Sequence, residues 1–167
     1  NHITLAEALS SIYGENLKII KKPTSEELSE ADIVILNIGT FDSEGWDRSF
    51  NLPDEEEKEI LRVAAVNPNT IVVVNSGSGI NMSAWNDKVA AILYAWYSGQ
   101  NGAQAAAEII SGEVNPSGKL PITIEKDFSD SPGAGYLPEG EELYEGWNSE
   151  IERIREVYDL EYSEGVF

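Results

Sequence analysis

The residues of this chain that are best suited to chemistry lie close together, between positions 40 and 48. The segment reads Thr-Phe-Asp-Ser-Glu-Gly-Trp-Asp-Arg, so carboxylates, an aromatic ring and a guanidinium group occur in one short stretch. It follows the apolar run 33–38, which is typical of a buried parallel strand. Ligands of open α/β sheets bind at the carboxyl ends of strands, and Gly45 allows the turn after Glu44 to be tight. From these residues alone, a ligand-binding loop and a solvated polar loop both remain open.

Other kinds of site lack the residues that they need. His2 is the only histidine, so a catalytic triad or a histidine-based metal site is not expected. Residues 75–79 place two glycines after a strand but have neither the third glycine of a dinucleotide fingerprint nor a P-loop lysine. We therefore predict a plain βα turn there. The acidic run 54–56 is predicted to be a helix start, which favours negative charge, rather than a metal site.

The remaining sequence alternates between helix and strand signals. Capping boxes at Thr4 with Glu7 and at Thr24 with Glu27 predict two helix starts. Two further helices are predicted from Pro53 to about residue 66 and over 102–111, with helical character again at 151–157. Strands are predicted over 17–20, 33–38, 71–74, 89–94 and 120–124, the last at an edge because of Pro121. This alternation predicts an α/β fold, a three-layer sandwich whose mostly parallel sheet of about six strands has helices on both faces.

The chain is predicted to be one domain over residues 1–167, with an irregular loop at about 126–147. Trp85 and Trp96 are predicted to be core or interdomain residues. The chain begins at Asn1 without a signal peptide, so we expect a fragment or a processed product.

Charge limits the partners. There are 30 acidic and 11 basic residues, giving a formal net charge of -19, which repels nucleic acid and anionic lipid. No apolar stretch approaches the length of a membrane span. The chain contains no cysteine, and this says nothing about its compartment, so cytoplasmic and secreted or periplasmic locations stay open.

Several segments carry a resemblance to a known family. They are 43–48 with Leu52-Pro53, then 73–77, 95–100, 112–121 and 162–167. In order and spacing they resemble the second, α/β sandwich domain of glycoside hydrolase family 3, the family of β-glucosidases and exo-β-glucanases. The segment 112–121 is the most specific.

The resemblance implies a catalytic role for Glu44. In a retaining glycosidase, one carboxylic acid protonates the departing oxygen and a second attacks the anomeric carbon. In enzymes that this chain resembles, the nucleophilic aspartate belongs to a preceding barrel domain, which this chain lacks, and the acid/base comes from the second domain. The matching position is Glu44, although Ser43 stands where many relatives have glycine. The implied partners are that barrel and a β-linked glucoside, and no cofactor is needed.

The neighbours of Glu44 have expected roles of their own. Trp46 matches an aromatic residue near the leaving-group sugar, where stacking is reasonable, but packing under the loop remains open. Asp42 and Asp47 are expected to help raise the pKa of Glu44. Arg48 is expected to support the loop by pairing with Asp47 or a loop carbonyl.

Two functions follow. The first is half of a β-glucosidase-type active site, inactive as an isolated chain because the nucleophile is missing. The alternative is a noncatalytic carbohydrate-binding or interaction module in which the old catalytic loop has become surface.

Overall fold

A computed structural model describes residues 3–43 and 48–131. The chain divides into two compact units, Asn1–Ile124 and Glu125–Phe167. The sheet and the α-helices described below lie in the first unit. In the second unit, the described residues contain a single 3-10 turn, Phe128–Asp130. Most of the predicted loop at 126–147 and the predicted helix at 151–157 lie outside the described residues.

The first unit alternates helices and strands along the chain. The helices are α1 (Leu5–Tyr13), α2 (Ser25–Glu30), α3 (Asp54–Val66) and α4 (Gly102–Ser111), and a 3-10 turn, Gly14–Asn16, follows α1. The strands are β1 (Val34–Gly39), β2 (Thr70–Asn75) and β3 (Ala91–Tyr94). The strands form one parallel sheet in the order β1-β2-β3. All three strands therefore end at the same edge of the sheet.

Local sequence signals start and stop the helices. Thr4 and Thr24 each accept a hydrogen bond from the backbone N–H of the glutamate three residues later, at 3.2 Å, and that glutamate in turn accepts one from the threonine N–H. Both predicted capping boxes are confirmed. Helix α4 ends at Gly112, whose φ of 81° lies in the left-handed region that glycine adopts without strain.

Helices cover both faces of the sheet. On one face, Ile35 packs against a cluster from α1 and α4 that contains Leu9 and Ala107. On the other face, Val72 and Val74 pack with Ile60 of α3 in the larger core cluster. This cluster also contains the fully buried Trp85, as predicted. The α/β sandwich is confirmed.

Two predicted strands are wrong. Residues 17–20 and 120–124 form no strand, and the sheet has three strands in the part of the chain that the structure describes, instead of about six. Ile19 is 66% exposed, and Leu120 and Ile122 are also exposed. An apolar run favours a strand only where a neighbouring strand pairs with it, and these runs have no partner in the described sheet.

Among the described residues, no helix is long and apolar enough to cross a membrane.

Candidate active site

Three loops meet at the carboxyl edge of the sheet. The loop after β1 supplies Asp42 and Arg48, the loop after β2 supplies residues 76–79, and the segment after β3 supplies Tyr97. The predicted site residues Asp42 and Arg48 are in direct contact. Glu44, Trp46 and Asp47 lie outside the described residues. The structure thus describes both ends of the segment that carries the predicted catalytic group.

The Asp42 carboxylate is surrounded by donors. Its Oδ2 accepts hydrogen bonds from the Tyr97 hydroxyl at 2.5 Å, the Gly77 N–H at 2.7 Å and the Thr40 hydroxyl at 2.8 Å, and its Oδ1 accepts from Nε of Arg48. Burial raises the pKa of Asp42, but the four hydrogen bonds outweigh burial and hold this pKa well below its usual range. Asp42 is therefore ionised at neutral pH and has no proton to deliver to a leaving group.

Arg48 links the first loop to the second. Its Nη2 lies within hydrogen-bonding distance of Oγ of Ser78 (2.7 Å), the Gly79 carbonyl (2.9 Å) and Oγ of Ser76 (3.0 Å), and its Nη1 donates to the Ser49 carbonyl at 2.8 Å. The planar guanidinium holds these directions together in a way that a lysine ammonium does not. Its partners include loop carbonyls, as one of the two expectations had it. Its carboxylate partner in the described residues is Asp42.

The loop after β2, predicted to be a plain βα turn, contributes directly to this network. Ser76 is fully buried. Its hydroxyl donates to the Ser78 carbonyl at 2.7 Å, and its Oγ lies 2.8 Å from Oγ of Thr40, whose one proton goes either to Ser76 or to Asp42. Tyr94, at the end of β3, also donates to the Ser78 carbonyl, at 2.6 Å. Polar residues directly after two neighbouring parallel strands were the available signal for this contact.

Gly77 is required by the close approach of its neighbours. A Cβ atom at this position would lie 2.9 Å from Cε2 of Tyr97 and 3.0 Å from Oδ2 of Asp42. Any other residue therefore forces Tyr97 or Asp42 to move.

A separate open cavity of about 480 Å³ lies at the same edge of the sheet. It is lined by the start of α1 and of α4 and by Asn37 and Asn75, which hydrogen-bond to each other at 2.7 Å. Neither Asp42 nor Arg48 lines this cavity. Within residues 3–43 and 48–131, no three histidine, aspartate or glutamate side chains are grouped so as to hold a metal ion.

Comparison with known proteins gives the family. The model of the "Glycosyl hydrolase family 3 C-terminal domain" matches residues 2–167. The chain belongs to this family.

Similar proteins include glycosidases of more than one specificity. "Probable beta-glucosidase I" from Aspergillus flavus is 38% identical over 130 residues, which cover 71% of this chain and 15% of that protein. An "Exo-alpha-(1->6)-L-arabinopyranosidase" from Bifidobacterium breve is 35% identical over 85% of this chain and 17% of its own length. The crystal structure of a GH3 β-glucosidase from Bifidobacterium adolescentis superposes with a TM-score of 0.72 and 28% identity, covering 84% of this chain and 23% of that one. The chain therefore spans less than a fifth of the length of the two curated relatives, and under a quarter of the crystallised one.

Proposed function

We propose that this chain is the second domain of a retaining, exo-acting β-glycosidase of the β-glucosidase type, and that Glu44 is its general acid and base. A preceding barrel domain supplies the nucleophilic aspartate. Trp46 contributes to the subsite of the leaving-group sugar. Asp42, Asp47 and Arg48 support the loop that carries Glu44 and Trp46.

The observation that carries the proposal is the network at the ends of segment 43–47. Asp42 and Arg48 are joined at the carboxyl edge of the sheet, where open α/β sheets bind ligands. Asp42 is committed to four donors and is ionised. It is thus unsuited to donate a proton, which leaves the acid role to the carboxyl group that the family resemblance assigns, Glu44.

The reaction then has two steps. The aspartate of the barrel attacks the anomeric carbon while Glu44 protonates the departing glycosidic oxygen, giving a covalent glycosyl-enzyme and a free alcohol. Glu44, now a carboxylate, next takes a proton from water, which attacks the anomeric carbon and releases the aspartate. The configuration at the anomeric carbon is retained.

The substrate is proposed to be a β-linked glucoside, in line with the names of most of the relatives. The arabinopyranosidases among them show that similar second domains occur in proteins of other named specificity. Sugar identity is therefore assigned mainly to the barrel.

The test is the dependence of the reaction on the leaving group in the full-length enzyme. Glu44→Ala should lower kcat/KM for cellobiose, whose leaving group needs a proton, by about 100-fold or more. It should change kcat/KM for 2,4-dinitrophenyl β-glucoside, whose leaving group departs as an anion, far less. The matched control is Glu113→Ala, at an exposed glutamate after α4, which should leave both values unchanged. An equal loss on both substrates would make Glu44 a structural residue and sink the proposal.

A further inference from the structure

Tyr97 contacts the start of the catalytic segment from a different part of the chain. Its hydroxyl oxygen accepts a hydrogen bond from the Asp42 N–H at 2.8 Å. The same hydroxyl lies 2.5 Å from Oδ2 of Asp42 and 2.8 Å from the Thr40 carbonyl, and its proton goes to one of them at a time. One phenol thus holds both the backbone and the side chain of Asp42, two positions before Glu44.

The backbone around Tyr97 is arranged at a cost. Trp96, the preceding residue, has φ = 55°, in the left-handed region that a bulky residue rarely adopts. Such a conformation persists only where the surrounding structure fixes it, and it occurs preferentially at functional sites. The Trp96 ring packs on Tyr94, with ring centroids 4.7 Å apart.

A second, independent feature makes room for the same contact. Gly77 has no side chain at the point where a Cβ atom would collide with the ring of Tyr97 and with the carboxylate of Asp42. The Gly77 N–H also donates to Oδ2 of Asp42 at 2.7 Å. The loop after β2 therefore leaves space for the Tyr97 ring, and it donates a hydrogen bond to the same carboxylate oxygen of Asp42 that Tyr97 contacts.

We propose that Tyr97 is a positioning residue for the general acid and base. It acts through Asp42, the residue that precedes segment 43–47. Arg48, the residue that follows the segment, is held by its own contacts with the loop after β2. The inference rests on the proposed role of Glu44, but it assigns a function to a residue of another loop, 55 positions away along the chain from Asp42.

Tyr97→Phe tests the proposal because it removes only the hydroxyl and keeps the ring. In the full-length enzyme, we expect kcat/KM for cellobiose to fall about tenfold, the scale of a lost hydrogen bond to a charged group. The value for 2,4-dinitrophenyl β-glucoside should stay within about twofold, because that substrate does not need the acid. A partial loss of folded protein lowers both values equally, so the ratio of the two reports positioning alone.

The matched control is Tyr13→Phe. Tyr13 is the last residue of α1, and its hydroxyl makes no hydrogen bond to any residue of the described part of the chain. This variant should keep both kcat/KM values.

The Glu44→Ala background separates the two claims. If Tyr97 acts through Glu44, adding Tyr97→Phe to Glu44→Ala should lower kcat/KM for cellobiose no further. A full additional tenfold loss in the double variant, or an equal loss on both substrates in the single variant, overturns the positioning role. If Tyr97→Phe leaves both kcat/KM values unchanged while Glu44→Ala loses activity mainly on cellobiose, the positioning role of Tyr97 is also overturned. The role of Glu44 then stands. If Glu44→Ala itself shows no dependence on the leaving group, it is the proposed function that fails.

Discussion

Asp42 and Arg48 lie six positions apart and form an ion pair at the carboxyl edge of the sheet, so the two residues that flank segment 43–47 are held together. Their side chains are 21% and 20% exposed, respectively. Each is also bonded to the loop after β2, Asp42 to the Gly77 N–H and Arg48 to the Gly79 carbonyl. The two residues that flank the proposed catalytic segment are therefore both fixed to the loop after β2.

Replacing Arg48 by lysine should destabilise the domain although the charge is kept. A lysine has one nitrogen and cannot reach Asp42, Ser76 and the Gly79 carbonyl together, so largely buried partners lose their hydrogen bonds. We expect the free energy of unfolding of the 167-residue chain to fall by about 1–3 kcal/mol. Urea titration measures this.

Arg62 supplies the comparison for Arg48. It makes a similar ion pair with Glu59 on the surface of α3, where both side chains are about two-fifths exposed. Exposed pairs contribute about 0.2–1 kcal/mol. Arg62→Lys should therefore cost clearly less than Arg48→Lys, and equal costs would mean that the Arg48 contacts do not stabilise the fold.

Asp42 should make stability depend on pH in the acid range. The pKa of Asp42 is lowered in the folded chain. The contribution of its carboxylate to the free energy of unfolding is therefore complete above the unfolded pKa of about 3.9, and it is lost as the pH falls toward the folded pKa. The difference in unfolding free energy between the wild-type chain and Asp42→Asn should be constant from about pH 7 to 5. It should narrow below about pH 4. A difference that stays constant down to about pH 2.5 would contradict the assignment.

Gly77→Ala should disturb the network by steric pressure alone. The added Cβ lies 2.9 Å from Tyr97 and 3.0 Å from Asp42, so one of them must move, and we expect a loss of about 1–3 kcal/mol in stability. Gly118→Ala is the control, because nothing lies within 4 Å of its Cβ position. Thermal unfolding of both variants distinguishes crowding from a general effect of removing glycine.

The packing of α4 against α1 predicts a contrast within one helix. Ala107 is fully buried in the cluster with Ala8 and Leu9, whereas Ala105 is exposed. Ala107→Leu should destabilise the chain by about 1–3 kcal/mol through overpacking. Ala105→Leu should have little effect. Urea titration of the two variants tests the assignment of this helix face, and similar values would contradict it.

Local signals were sufficient to predict helices α1–α4 and strands β1–β3. The capping box at Thr24 and the apolar run from Ile71 to Val74 each determine an element by contacts or burial within a few residues. Runs 17–20 and 120–124 looked the same locally but lack the partner strand that a sheet requires. Apolar composition alone does not contain that information.

The edge of the sheet at which the candidate site lies was predictable from the sequence, but the hydrogen bonds between its loops were not. A polar segment after a buried parallel strand indicated the carboxyl edge of the sheet. The bond between Asp42 and Tyr97 joins residues far apart in sequence, and it depends on the register of three strands and on the left-handed backbone of Trp96. Single-sequence patterns do not determine such contacts.

The most direct measurement of the central claim is the product that Glu44→Ala forms from 2,4-dinitrophenyl β-glucoside in the presence of azide, using the full-length enzyme. If Glu44 is the acid and base, the glycosyl-enzyme still forms, azide attacks it without needing a base, and NMR should show β-glucosyl azide together with an increased kcat. Formation of α-glucosyl azide would identify Glu44 as the nucleophile instead. The absence of any azide product and of any rate increase would contradict a catalytic role for Glu44.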